Sequence, residues 1–317
     1  MTAQTASRSK DSAQTKTRTR VPSRLDQLLY KATETLLYPV EDWRRRVTGG
    51  QQQTIVNQKD IRVVGMRRTG NHALLSWIEQ QQTGSTFHLN NVAAGTHPYR
   101  YKSDNLRRYH PEYLKMAEVY RRQSKGDFVP RDCLLFSYED WSLAQITRPA
   151  FERNRTLYLG KSAQSFDVLI LRDPFNLFAS RLKQDYTATK SKKLSMVEMW
   201  LEYAKEFVGE SQYLSQNSIF INYNRWFSDK AYRRDLADQL GLTFSDAGLT
   251  SVPTFGGGSS FDGTALSGQA RQMDVTNRWQ TFENDEAFRE LFQNSDVWHY
   301  SQRIFGELLG TERLRSQ

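Results

Sequence analysis

The stretch "VVGMRRTGNHALLSWI" (63–78) sets two glycines, Gly65 and Gly70, around four residues, between an apolar run and a helix-like segment. Backbone N–H groups in such a turn, with the positive end of the helix behind them, bind phosphate. Loops that hold nucleoside triphosphates continue with Lys and Ser/Thr, the contact to the terminal phosphate and the Mg²⁺ ligand. Here Asn71 and His72 stand in those places, and Arg67, Arg68 and Thr69 precede Gly70. The spacing therefore predicts an anion site read by forked, permanently charged arginines and argues against triphosphate hydrolysis. A second constellation is "DVLILRDPFNLFASRLK" (167–183), where Arg172 ends an apolar strand and Ser180 follows eight residues later, two turns into a helix. Arginine and serine so spaced grip one phosphate from two sides.

The elements that carry these residues read as α/β. Strands are expected at 61–66, 85–90, 133–138, 166–171 and 218–223, and helices at 70–82, 174–186, 194–214 and 229–240. Strands separated by helices imply a mostly parallel central sheet flanked by helices, with ligands at the C-terminal strand ends. The glycine-rich 254–269 reads as a long loop, and two helices close the chain. Before the sheet lies a basic tail, 1–24, Ser/Thr/Gln-rich and without apolar periodicity, which reads as disordered. It holds six basic residues against Asp11, over half of the chain's net charge of +9. Residues 25–58 form an amphipathic helix, expected to stop at Pro39, and a polar linker. Its apolar spacing suits packing on the domain or a peripheral membrane contact through 25–43. A single domain over 59–317 follows.

With these motifs on the page, the chain resembles the sulfotransferases that use 3′-phosphoadenosine-5′-phosphosulfate (PAPS), over about residues 60–300. "RRTGNHALL" is similar to their 5′-phosphosulfate loop, and "LRDPFNLFAS" to their 3′-phosphate segment. "SIFINYNRWFSDKAYRRDLADQLGL" (218–242) resembles their late strand and following helix. The resemblance implies a P-loop-like fold, PAPS as cofactor and no metal. It also implies that Arg67, Arg68, Thr69, Gly70, Asn71 and His72 hold the phosphosulfate, that Arg172 and Ser180 hold the 3′-phosphate, and that Tyr223 lies beside adenine. Arg271 or Arg278, in "QARQMDVTNRWQTF", would reach the 3′-phosphate. Two departures matter: Arg68 stands where many members carry a lysine, and Ala73 stands where the cytosolic branch carries an aromatic, which places the chain nearer the carbohydrate and protein branches.

Sulfuryl transfer needs a base for the acceptor's proton. Glu139 and Asp140, ending "DCLLFSYED", and His88, towards the end of the second strand, are the candidates. The other histidines, His97, His110 and His299, show no metal-ligand spacing. The acceptor is expected to be a small molecule or carbohydrate, contacted by the Tyr/Arg-rich insert 92–130, and no nucleic-acid partner is expected. A single cysteine, Cys133, suits a reducing compartment such as the cytoplasm, and the tail leaves organellar targeting open. No apolar run is long enough to span a bilayer. Two alternatives remain at this stage: a phosphate-loop kinase or hydrolase, and an inactive binding module. Oligomeric state is not legible.

Overall fold

The computed structural model describes residues 23, 25, 28–29, 32–48, 54–250 and 258–315. All of the expected tail except Ser23 and residues 254–257 of the glycine-rich loop lie outside these. Five strands, β1 (Ile55–Gly65), β2 (Thr86–Leu89), β3 (Arg131–Glu139), β4 (Lys161–Leu171) and β5 (Ile219–Asn222), form one sheet in the order β2-β3-β1-β4-β5. Every pairing is parallel. The α/β expectation holds, and β1 lies at the centre, so both of its neighbours present their C-terminal ends to the loop that follows it.

The helices, in chain order, are α1 (Tyr38–Thr48), α2 (Asn71–Gln80), α3 (Pro98–Tyr109), α4 (Leu114–Ser124), α5 (Leu143–Ile146) and α6 (Pro149–Leu159). They continue with α7 (Pro174–Leu182), α8 (Met196–Phe207), α9 (Tyr223–Ser228), α10 (Lys230–Gln239), α11 (Glu286–Glu290) and α12 (Ser295–Phe305). Two apolar cores cover the two sheet faces. One gathers Val64, Phe136, Leu171, Phe178 and Trp200, and the other Val63, Leu74, Trp77, Ile170 and Trp226. The alternation of Val63 and Val64 between them is the two-residue period of a strand buried on both sides.

Several boundaries differ from the sequence reading. β1 begins at Ile55 and β4 at Lys161, because parallel backbone pairing extends through their polar first halves. The insert 92–130 folds into α3 and α4, and α5 and α6 were not anticipated. The signals for the last two are local: Ser142 and Gln145 form a capping box, and Pro149 opens α6. Helix 174–186 ends at Leu182, and helix 194–214 ends at Phe207, just ahead of Gly209 with its positive φ of 80°. Strand 218–223 ends one residue early, since Asn222 caps α9 by accepting from the Arg225 N–H at 3.1 Å. Pro39 does not stop the N-terminal helix. A π-helical turn, Thr33–Leu37, precedes α1, with the Tyr38 N–H bonded to the Thr33 carbonyl. Such a widened turn moves the carbonyl that the proline ring would otherwise strike. No described helix is long and apolar enough to cross a membrane.

Candidate functional site

The turn after β1 is shaped by steric necessity. A Cβ on Gly65 would lie 2.1 Å from Asn71 Oδ1, and one on Gly70 would lie 2.2 Å from the Tyr223 ring. Gly70 also has φ 105°, and Arg68, with φ 72°, is held in the left-handed region without a glycine's freedom. Such strain gathers at functional turns. Thr69 is fully buried, and its Oγ1 has no hydrogen-bond partner. No side chain caps α2, so its first-turn N–H groups are left to whatever enters the turn.

Sheet register brings the other motif residues here. Gly65 pairs with Glu139 and Leu171 with Asn222, which sets Glu139 beside the turn and Arg172 beside Tyr223. Arg172 donates to Ser180 Oγ at 3.3 Å and to the Arg68 carbonyl at 3.3 Å, and its guanidinium lies 5.2 Å from the centre of the Tyr223 ring. Arg278 donates to the same Ser180 Oγ at 3.2 Å. Both arginines and the turn line a cavity of about 360 Å³, with Ser180 buried behind them. Its apolar lining comes from Tyr223, Trp226, Phe227, Leu249 and Met273.

Ion pairing among these arginines is sparse. No described carboxylate forms an ion pair with Arg68 or Arg172, and Arg278 has only Asp262, at 3.4 Å. Burial and the neighbouring Arg172 push the Arg278 guanidinium down to about 10, and burial lowers Arg68 as well. Clustered, desolvated cations without matching anions are unfavourable unless a ligand supplies the negative charge.

The three candidate bases are separated. Glu139 lines the cavity, accepts from Asn71 Nδ2 at 3.2 Å and lies 3.6 Å from His72 Nε2. Asp140 is fully buried with φ 61°, and its carboxylate accepts from the Arg67 N–H at 2.9 Å and Arg181 Nη1 at 2.6 Å. It ties the turn to α7. His88 lies elsewhere, 3.2 Å from Glu79 and on a second cavity with Tyr113 and Leu114. Arg271 also stays outside, 56% exposed and paired with Asp246, whereas Arg278 enters.

Sequence reasoning missed Arg181, Asn90, Asn91 and Lys190. Asn90 and Asn91 line the cavity and are fixed by Ser137, whose Oγ donates to Asn90 Oδ1 and accepts the Asn91 N–H. Lys190 donates to Asn91 Oδ1, and burial pushes its ammonium down to about 8 against the pull of Glu139 and Asp140. Only Arg181, in the same helical run as Ser180, had a sequence signal. Asn90, Asn91 and Lys190 sit in loops whose placement depends on tertiary contacts.

No family model matches this chain, and neither does any curated protein. Among solved structures it is similar to the sulfotransferase domain of the Synechococcus PCC 7002 olefin synthase, at 10% identity and a TM-score of 0.47, covering 80% of this chain and 97% of that one. It is also similar to mouse sulfotransferase SULT7A1 complexed with PAP, at 12% identity and a TM-score of 0.41, covering 80% and 92%. At such low similarity the functional reading has to rest on the side chains.

Proposed function

We propose that the chain is a sulfotransferase that moves a sulfuryl group from PAPS to a hydroxyl or amine of a polar, carbohydrate-like acceptor. The observation that carries this reading is the meeting of Arg172 and Arg278 on Ser180, beside Arg68 and the glycine turn, with Asp262 the one carboxylate in ion-pair contact with these three arginines among the described residues. The cavity fits the cofactor: Arg172 Nε, without a hydrogen-bond partner among the described residues, suits a phosphate oxygen, and Tyr223, Trp226 and Phe227 suit a purine face. When bound, the cofactor supplies the sulfuryl group. Arg172, Ser180 and Arg278 would hold its 3′-phosphate, and Arg67, Thr69 and the α2 N-terminus its 5′ end.

Arg68 and the N–H groups of the turn place fixed positive charge where a departing phosphate oxygen gains charge, which lowers the barrier without proton transfer. Glu139 takes the proton of the acceptor hydroxyl, held in position by Asn71 Nδ2. Asp140 acts at one remove by fixing Arg67. Asn90 and Asn91, the latter held by Lys190, offer polar contacts on the wall with Glu139, which suits a hydroxyl-rich acceptor. The test is transfer of labelled sulfate from PAPS to a panel of sugars and amines in the presence of EDTA. Product that forms with EDTA and disappears in Glu139→Gln supports the reading, while a strict need for Mg²⁺, or ATP cleavage in place of transfer, would refute it.

A further inference from the structure

A helix at a protein surface ordinarily turns its apolar stripe inward and its charged face to water. The N-terminal helix of this chain does the reverse. Its domain-facing side is polar: Asp42 pairs with Arg100 at 2.6 Å, Glu41 with Arg121, Tyr38 Oη donates to Asp104 at 2.9 Å, and Arg45 donates to the Ser124 carbonyl at 2.9 Å. The outward side carries Leu36, Val40, Trp43 and Val47, at the spacing of one helical face and 69%, 59%, 62% and 63% exposed. Leu25, Leu28 and Leu29, about two to three turns before Leu36, are helical and exposed too. The sequence reading of this segment as packed on the domain is half right: it packs, but with its apolar face out.

Two further features say what covers that face. Arg44 and Arg46, both exposed, flank Trp43, one toward each side of the stripe. The preceding 24 residues add Arg8, Lys10, Lys16, Arg18, Arg20 and Arg24 against the single Asp11. An apolar stripe with tryptophan near its middle and cationic borders matches a bilayer interface, where side chains enter the acyl boundary and arginines stay at the headgroups. Basic residues next to it add affinity for anionic lipid. A second copy of the chain would instead bring identical cations against these borders.

We propose that the outward face of residues 25–47 docks the protein on a membrane surface containing anionic phospholipid, in the plane of the interface, with the polar face still fastened to the domain. Moving one large apolar side chain out of water is worth about tenfold in affinity or more. The test is co-sedimentation of the full chain with vesicles of phosphatidylcholine alone and of phosphatidylcholine with phosphatidylserine, alongside the double variant Val40→Asp/Trp43→Ser. Binding to the anionic vesicles that falls by roughly a hundredfold in the variant, with melting temperature and nucleotide binding unchanged, is the expected result. Absence of wild-type binding would overturn the proposal. So would equal binding of the variant, which would assign membrane contact to the tail alone, or a wild-type dimer that the variant converts to monomer, which would make the stripe a self-interface.

Discussion

Buried arginines occur within the central strands and at their C-terminal ends, and their surroundings are opposite. Within β1, three residues before its C-terminal end, Arg62 forms a two-pronged pair with Asp167 of β4, both contacts at 2.8 Å, and also meets Glu152. Arg155 completes the group with Asp60. Although burial opposes it, the carboxylates raise the Arg62 guanidinium above its usual value. At the C-terminal ends of the same two strands, Arg172 and the adjoining Arg68 have no ion-pair partner among the described residues, and Arg278 is pushed down to about 10. One cluster is electrically complete and serves the fold. In the other, Asp262 is the one carboxylate in ion-pair contact among the described residues, and that asymmetry marks it as a candidate anion site rather than a structural network.

The comparison is most severely tested by removing a cation from each cluster. Arg62→Met should strip the buried Asp167 of its two-pronged partner, leaving Arg155 at 3.7 Å, and cost about 3–5 kcal/mol of folding stability, read by denaturant unfolding. Arg172→Met should lower stability less, because it also removes repulsion from Arg278. Equal losses would erase the distinction. Next in size, Arg68→Ala should reduce kcat by about a hundredfold or more, roughly 2.7 kcal/mol, with a smaller change in cofactor affinity. Single-turnover transfer checks this, and Arg68→Lys should restore part of the rate. A loss of affinity with the chemical step intact would make Arg68 a clamp.

How far the sequence foretold this contrast depends on range. The turn 65–70 and the Arg172/Ser180 pair were legible because each lies within one strand-turn-helix unit, where spacing fixes geometry. Arg62 and Asp167 were not, since 105 residues separate them and only sheet register brings them together. For the same reason Arg271 and Arg278 could not be told apart, nor Glu139 from His88. The inverted N-terminal helix shows another limit: periodicity reveals an apolar stripe, whereas its direction depends on the charged partners that the opposite face finds in α3 and α4.

Smaller effects sharpen the site's edges. Lys190 is charged below about pH 8 and neutral above it. If its ammonium steadies Asn91 for the acceptor, activity should fall several-fold as pH rises through that value, and Lys190→Met should flatten that limb of the profile while lowering the plateau below it. An unaltered alkaline limb in the variant would remove Lys190 from the site. Arg271→Ala, paired outside with Asp246, should leave cofactor affinity within experimental error, and a tenfold loss there would show that the segment after 270 rearranges on binding.

The central claim is that the sparsely paired arginines hold a 3′-phosphate without a metal. Calorimetric titration of the chain with adenosine 3′,5′-bisphosphate and with adenosine 5′-monophosphate, both in EDTA, measures it directly. The bisphosphate should bind about 2–3 kcal/mol more tightly, the range of a charge-assisted contact, and Arg172→Met should abolish most of that difference. Equal affinities for the two nucleotides, or bisphosphate binding that appears only with Mg²⁺, would contradict the account.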